Sequence, residues 1–114
     1  WSQPFRFAWL DGHDWPYEGP DYPPGCWDEQ ARQYRERGQE YSQAASQASH
    51  LRIAELIAPA IAPDGLVAFD DTWPTVAGWD GKGGTAIPFL LYSGGFEIAE
   101  RGAYDQLVVL RRTW

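Results

Sequence analysis

The 114 residues include one cysteine, Cys26, and one lysine, Lys82, and they contain no methionine. A lone thiol has no internal partner, so no disulfide framework holds this chain and a cytoplasmic location is the default expectation. The shortage of lysine leaves a formal net charge of -7. That balance argues against nucleic acid as a partner, because such binding rests on clustered Lys and Arg. Long apolar runs are missing too: none approaches the roughly 20 residues of a membrane span, and no basic stretch leading into an apolar one marks a signal peptide. A translated chain ordinarily begins with methionine, so a first residue of Trp leads us to expect a fragment or processed piece with strands upstream.

What is present is a packed domain: apolar residues make up 44 % of the chain, ample for a core. The organising stretch is Gly65-Leu66-Val67-Ala68-Phe69-Asp70-Asp71-Thr72-Trp73. Its apolar run fits a strand covered on both faces, ending in two carboxylates. Phe5-Arg6-Phe7-Ala8-Trp9-Leu10 repeats the pattern and leads into Asp11-Gly12-His13-Asp14. A helical stretch lies between, so the pair reads as a βαβ crossover that brings both acidic ends to one edge of a parallel sheet. In open α/β sheets that edge holds the ligand crevice.

The intervening and following segments read as follows. Residues 15 to 26, with Pro20, Pro23, Pro24 and Gly25, form a loop at the rim. A polar helix capped by Asp28 runs to about Gly38, inserted over about 27–41, as a solvated helix or as a lid over the rim. A second helix starts at Ser42 or Ser46, packs Leu51, Ala54, Ile57 and Ile61 on the sheet, and ends near Pro59. His50 reads as a partly exposed histidine on it, and Pro63-Asp64-Gly65 turns the chain into the central strand. Pro74 to Gly84 reads as a helix-entry loop, in which Gly81-Lys82-Gly83-Gly84 is only a weak phosphate-cradle signal without P-loop spacing. A short helix over Thr85 to Leu91 follows. Then come two antiparallel strands, Phe96 to Arg101 at the edge and Gln106 to Arg112 inside, joined by the loop Gly102 to Asp105.

Leu10-Asp11-Gly12-His13-Asp14-Trp15-Pro16-Tyr17 and Ile61-Ala62-Pro63-Asp64-Gly65-Leu66-Val67-Ala68-Phe69-Asp70-Asp71 resemble the loops after the fourth strand and into the fifth in class I S-adenosylmethionine-dependent methyltransferases. The order of elements is similar to the C-terminal half of that Rossmann-like α/β sheet, parallel strands plus a terminal antiparallel hairpin. The resemblance spans nearly all of residues 1–114 except the polar helical insertion. The family's Gly-rich loop after the first strand, and the acidic residue after the second, have no match. The N-terminal cofactor-binding half is therefore expected upstream, and the chain alone is expected to be inactive.

The resemblance implies methyl transfer to a hydroxyl of a small molecule, with S-adenosylmethionine as cofactor against Asp11 and Gly12. The hydroxyl must lose its proton, to His13 as general base with Asp11 beside it, or to solvent with the help of a divalent ion such as Mg2+. The metal ligands would be Asp11, Asp70 and Asp71, with Asp14 as a fourth candidate. Trp15, Tyr17 and Trp73, with Trp79, either wall the substrate or pack the rim loops. The exposed edge of the first strand makes a homo-oligomer a further expectation. Two other functions stay open: a non-catalytic Trp-rich module binding carbohydrate or protein, and the C-terminal part of another Rossmann-like enzyme. Each acid also has a bland reading, Asp11 as a turn former and Asp70 as a loop cap.

Overall fold

The computed structural model describes residues 3–103 and 106–113. Strand β1 (Phe5–Leu10) is followed by helices α1 (Asp28–Glu36) and α2 (Gln43–Ile57), a 3-10 turn at Ala58–Ala60, and strand β2 (Ile61–Phe69). Then come β3 (Thr72–Thr75), β4 (Gly78–Gly81), α3 (Ala86–Tyr92), β5 (Phe96–Ala103) and β6 (Leu107–Arg112). The main sheet has the order β1-β2-β6-β5, with β1 and β2 parallel and β6 antiparallel to both its neighbours. This is the mixed α/β arrangement and the strand order that the sequence predicts. Tyr104 and Asp105, in the predicted loop of the last hairpin, lie outside the described residues.

Register explains the core. Leu10 pairs with Phe69 and Phe69 with Val108, while Val67 pairs with Leu110, so these five side chains share one face of the sheet. Against it, α2 and its exit supply Ala54 and Ala58, and α3 supplies Ala86, Ile87 and Leu90. The opposite face differs from expectation: Phe7 and Trp9 are 54 % and 51 % exposed, so the apolar run of β2 is not covered by helices on both sides. Ala68, on that face, is buried nonetheless, because a side chain that small is shielded by its neighbours within the sheet.

Three local readings are corrected. Pro63-Asp64-Gly65 falls inside β2 rather than before it: Phe5 pairs with Ile61 and Phe7 with Leu66, so residues 62–65 bulge out between the two pairs. Asp64 takes a φ of 62° there. At Gly65 a Cβ would lie 2.7 Å from the Ile61 side chain, so only glycine lets the bulge close. Helix α1 has Trp27, not Asp28, at its N-cap and no side-chain cap bond; Asp28 instead sits in the first turn, where the helix dipole favours its charge. The predicted loop 74–84 is instead largely a second, two-stranded sheet: β3, which starts already at Thr72, pairs with β4 and the turn is closed by Val76-Ala77. Its strands are four residues each, too short to show alternation through a composition rich in Gly and Pro.

Helix α2 begins as expected at Ser42, whose hydroxyl accepts from the Ala45 amide at 3.0 Å. It stops at Ile57 ahead of Pro59, and the carbonyls freed there are met by a buried cation: Arg112 donates to Ala58 O at 2.6 Å and Ile61 O at 2.7 Å. No described helix is long and apolar enough to cross a membrane.

Candidate functional site

Because β1 and β2 are parallel, the residues that follow them emerge at the same edge, where the Asp70 amide reaches Leu10 O at 3.4 Å. Carboxylate oxygens of Asp11, Asp70 and Asp71 all lie within 4.8 Å of one another. Asp71 has a φ of 47°, a left-handed conformation that costs a non-glycine residue about 1–2 kcal/mol and that recurs at functional turns. That turn sends the chain from β2 into β3. Asp14, the fourth candidate, does not join the cluster; its amide donates to the Tyr34 hydroxyl at 2.8 Å.

The residue that completes the cluster lies in the segment that the sequence predicts to be a helix-entry loop. Lys82, 3 % exposed, comes off the end of β4 and places its ammonium on Asp11 and, at 3.2 Å, on Asp71 Oδ2. Burial disfavours its charge, yet the hydrogen bonds to Asp11 and Asp71 outweigh burial and hold its pKa above that of a free lysine. Asp70 stands outside this pairing. Burial raises its pKa first of all, and the charges of Asp71 and Asp11 add to the effect, against relief from the Asp71 amide and Lys82.

The glycines around Lys82 do not cradle phosphate, because their amides already have acceptors. Gly81 N donates to Asp80 Oδ1 (2.8 Å), Lys82 N to Asp71 O (2.9 Å), Gly83 N to Thr72 Oγ1 (2.9 Å) and Gly84 N to Gly81 O (3.0 Å). They are glycines for close approach. A Cβ on Gly81 would lie 2.0 Å from Asp71 O, and one on Gly84 2.4 Å from the Gln47 amide nitrogen. The signal that was there to read is the position of the chain's single lysine eleven residues past Asp71 in an otherwise acidic sequence.

Three carboxylates are a suitable donor set for a hard divalent cation. As the side chains stand, however, the Lys82 ammonium already holds Asp11 Oδ1 and Asp71 Oδ2, and the Tyr17 hydroxyl donates to the other Asp71 oxygen, so of these two acids only Asp11 keeps an oxygen outside those contacts. An ion ligated by all three acids would therefore compete with Lys82 or Tyr17 for Asp71.

His13 turns away from the acids. Its Nδ1 lies 3.1 Å from Asp14 O and its Nε2 3.0 Å from Glu40 O, and its ring packs on Tyr34. Each nitrogen thus faces a main-chain carbonyl, to only one of which a neutral ring can donate. Gly12, next to Asp11, is exposed. Trp15 is buried at 5 % exposure with its ring edge to Trp73, and Tyr17 stacks on both Trp73 and Tyr22. Tyr22 stacks in turn on Trp27, which also meets Tyr41, so much of the ring surface in the rim is spent within the rim. Burial and the Asp71 hydrogen bond drive the Tyr17 pKa far above the usual phenol value, which keeps its proton in place. Trp79, on β4, is partly buried and packs against the core. Helix α1 is docked through buried Tyr34 and is not a freely solvated element.

A stripe of polar residues on α2 holds these loops, and it was not foreseen. Gln43 donates to Pro16 O (2.9 Å), Ser46 to His13 O (2.9 Å), and Gln47 to Gly81 O (3.2 Å), while His50 Nε2 accepts from Gly12 N (3.2 Å). The spacing i, i+3, i+4, i+7 is that of one helix face. His50, expected to be partly exposed, is fully buried, because this face points into the rim and not to solvent. The spacing was available in the sequence, but polar residues at helical period read as a wet face.

No family model matches the chain, and neither the curated proteins nor the solved structures give a match.

Proposed function

We propose that this chain carries the acceptor-side rim of an S-adenosylmethionine-dependent methyltransferase acting on a hydroxyl of a small molecule. The observation that carries the reading is the convergence of Asp11, Asp70 and Asp71 from the ends of two parallel strands. That edge is where open α/β sheets bind ligands. Together with the sequence resemblance around Asp11 and Asp70, it favours methyl transfer over the alternatives. The ring faces consumed by mutual stacking speak against a flat carbohydrate platform, and the internally satisfied amides of residues 81–84 against a nucleotide phosphate loop.

Methyl transfer from a sulfonium asks the protein mainly for alignment of the nucleophile with the methyl group and for a place to put the hydroxyl proton. On this reading Asp11 and Gly12 face the cofactor, and the half-buried Tyr17 and Trp73, backed by buried Trp15, form the wall against which the acceptor lies. Asp70 takes the proton: it is the carboxylate outside the Lys82 pair, with a raised proton affinity, whereas each nitrogen of His13 faces a main-chain carbonyl. The test is incubation of the complete gene product with methyl-labelled S-adenosylmethionine and a panel of phenols, catechols and sugars. Label on an acceptor oxygen supports the reading. Absence of transfer to every hydroxyl, or transfer to nitrogen or carbon alone, removes it.

A further inference from the structure

The acidic rim contains its own cation. We propose that the Lys82 ammonium permanently occupies the position between Asp11 and Asp71 that a divalent ion would otherwise take, so that the site works without a metal and the ammonium itself holds the acceptor oxygen. The first part stands on geometry alone. One ammonium binds an oxygen of each carboxylate, its side chain is 4 % exposed, and Tyr17 engages the remaining oxygen of Asp71. A Mg2+ ion needs oxygens at about 2.0–2.1 Å, which on Asp11 Oδ1 and Asp71 Oδ2 would set it against Nζ, cation on cation.

The ammonium is also anchored from behind. The Lys82 amide donates to Asp71 O, the Gly83 amide to buried Thr72 Oγ1, and Gln47 reaches over from α2 to Gly81 O. The backbone that carries the cation is therefore fixed to the same turn that carries Asp71.

The second part rests on the methyl-transfer reading. An ammonium has three N–H donors, and Asp11 and Asp71 account for two. Among the described residues the third has no hydrogen-bond acceptor, and the two carboxylates that hold the ammonium cluster with Asp70 within 4.8 Å. An acceptor hydroxyl bound there places its oxygen on the ammonium and its proton towards Asp70. As the oxygen–methyl bond forms, the carbon–sulfur bond breaks, its electron pair stays on sulfur, and the hydroxyl proton passes to Asp70. A preorganised cation stabilises the negative charge that develops on the oxygen.

The experiment is a Mn2+ titration of the complete protein followed by electron paramagnetic resonance of the free ion, a readout independent of methyl transfer. The unaltered protein should take up no stoichiometric Mn2+ below about millimolar concentrations, whereas Lys82→Met should open one site per chain that binds at least about tenfold tighter, as expected of an oxygen donor set relieved of its cation. Adding Asp71→Asn to Lys82→Met should abolish that site. Stoichiometric sub-millimolar binding by the unaltered protein overturns the proposal whether or not the variant folds, and so does a folded Lys82→Met with unchanged affinity. Should Lys82→Met not fold, Lys82→Arg, which keeps the charge, must exclude Mn2+ as the unaltered protein does; uptake by it also overturns the proposal. Failure of the labelled transfer assay with the Mn2+ result intact would remove the catalytic role and leave the cation.

Discussion

The Gly12 amide donates to Nε2 of His50 at 3.2 Å, tying the loop after β1 to the middle of α2 across 38 residues of sequence. The proton is therefore on Nδ1, which donates to Ser46 O at 2.7 Å, and the ring is neutral with both nitrogens used. Burial holds its pKa below the usual imidazole value despite the Ser46 carbonyl; nearby Lys82 and His13 push the same way and Asp11 opposes them. A depressed folded-state pKa contributes stability above the unfolded value, near 6.5, and that contribution is lost as pH falls through the folded one. Thermal unfolding followed from pH 7.5 to 5 should show a declining midpoint, and His50→Gln should flatten the decline while starting lower. Equal slopes for the two proteins would show that His50 does not titrate on unfolding.

Asp70 gives the opposite sign. Its raised pKa means that the fold disfavours the ionised form, so its cost is felt above the folded-state value and vanishes below the unfolded one, near 3.8. Asp70→Asn should raise the melting temperature at pH 7, with the gain disappearing towards pH 3.5. The same variant should slow methyl transfer about a hundredfold or more if Asp70 takes the proton. A stability gain without loss of turnover would move the proton to another group.

Two glycines separate architecture from function. Gly81 has a φ of 82° and a Cβ there would fall 2.0 Å from Asp71 O, whereas Gly12 has nothing within 4 Å of such a Cβ. Gly81→Ala should cost at least about 2 kcal/mol in a denaturant titration, since it combines a left-handed backbone with a main-chain clash. Gly12→Ala should leave stability nearly unchanged and weaken the cofactor. Comparable unfolding midpoints for the two variants would contradict the close approach of β4 to Asp71.

The sheet order and the meeting of Asp11 with Asp70 and Asp71 were legible because they follow from periodicity and from the parallel βαβ connection, which leaves few arrangements. The role of Lys82 was not. Nothing local in Gly-Lys-Gly-Gly says that a four-residue strand will carry the lysine back under β2; that depends on the hairpin, whose strands are too short to announce themselves. His50 and the polar stripe of α2 failed for a related reason. A helix face that bonds to loop carbonyls has the same composition as one that bonds to water, and only the tertiary position of the loops distinguishes them. The carbonyl of Glu40 beside His13 Nε2 is not legible either, because it belongs to the segment after α1, whose docking no sequence pattern specifies.

Chelation tests the chemistry of the rim directly. With Lys82 as its cation, exhaustive EDTA treatment should leave methyl transfer unchanged and added Mg2+ should not raise it, while Lys82→Met should lower it sharply. His13→Ala should reduce the rate by less than about tenfold, an effect on loop packing, well short of the hundredfold or more expected on removing a general base. Turnover abolished by EDTA and restored by Mg2+ would return the acids to the role of metal ligands.

The most direct measurement of the central claim is calorimetric titration of the complete protein with S-adenosylmethionine. One cofactor should bind per chain, with Asp11→Ala weakening it at least about tenfold, the 1.4 kcal/mol or more expected when a contact in the cofactor pocket is lost. No heat of binding to the folded, unaltered protein at millimolar cofactor would contradict the methyltransferase reading, whatever the acids are then shown to do.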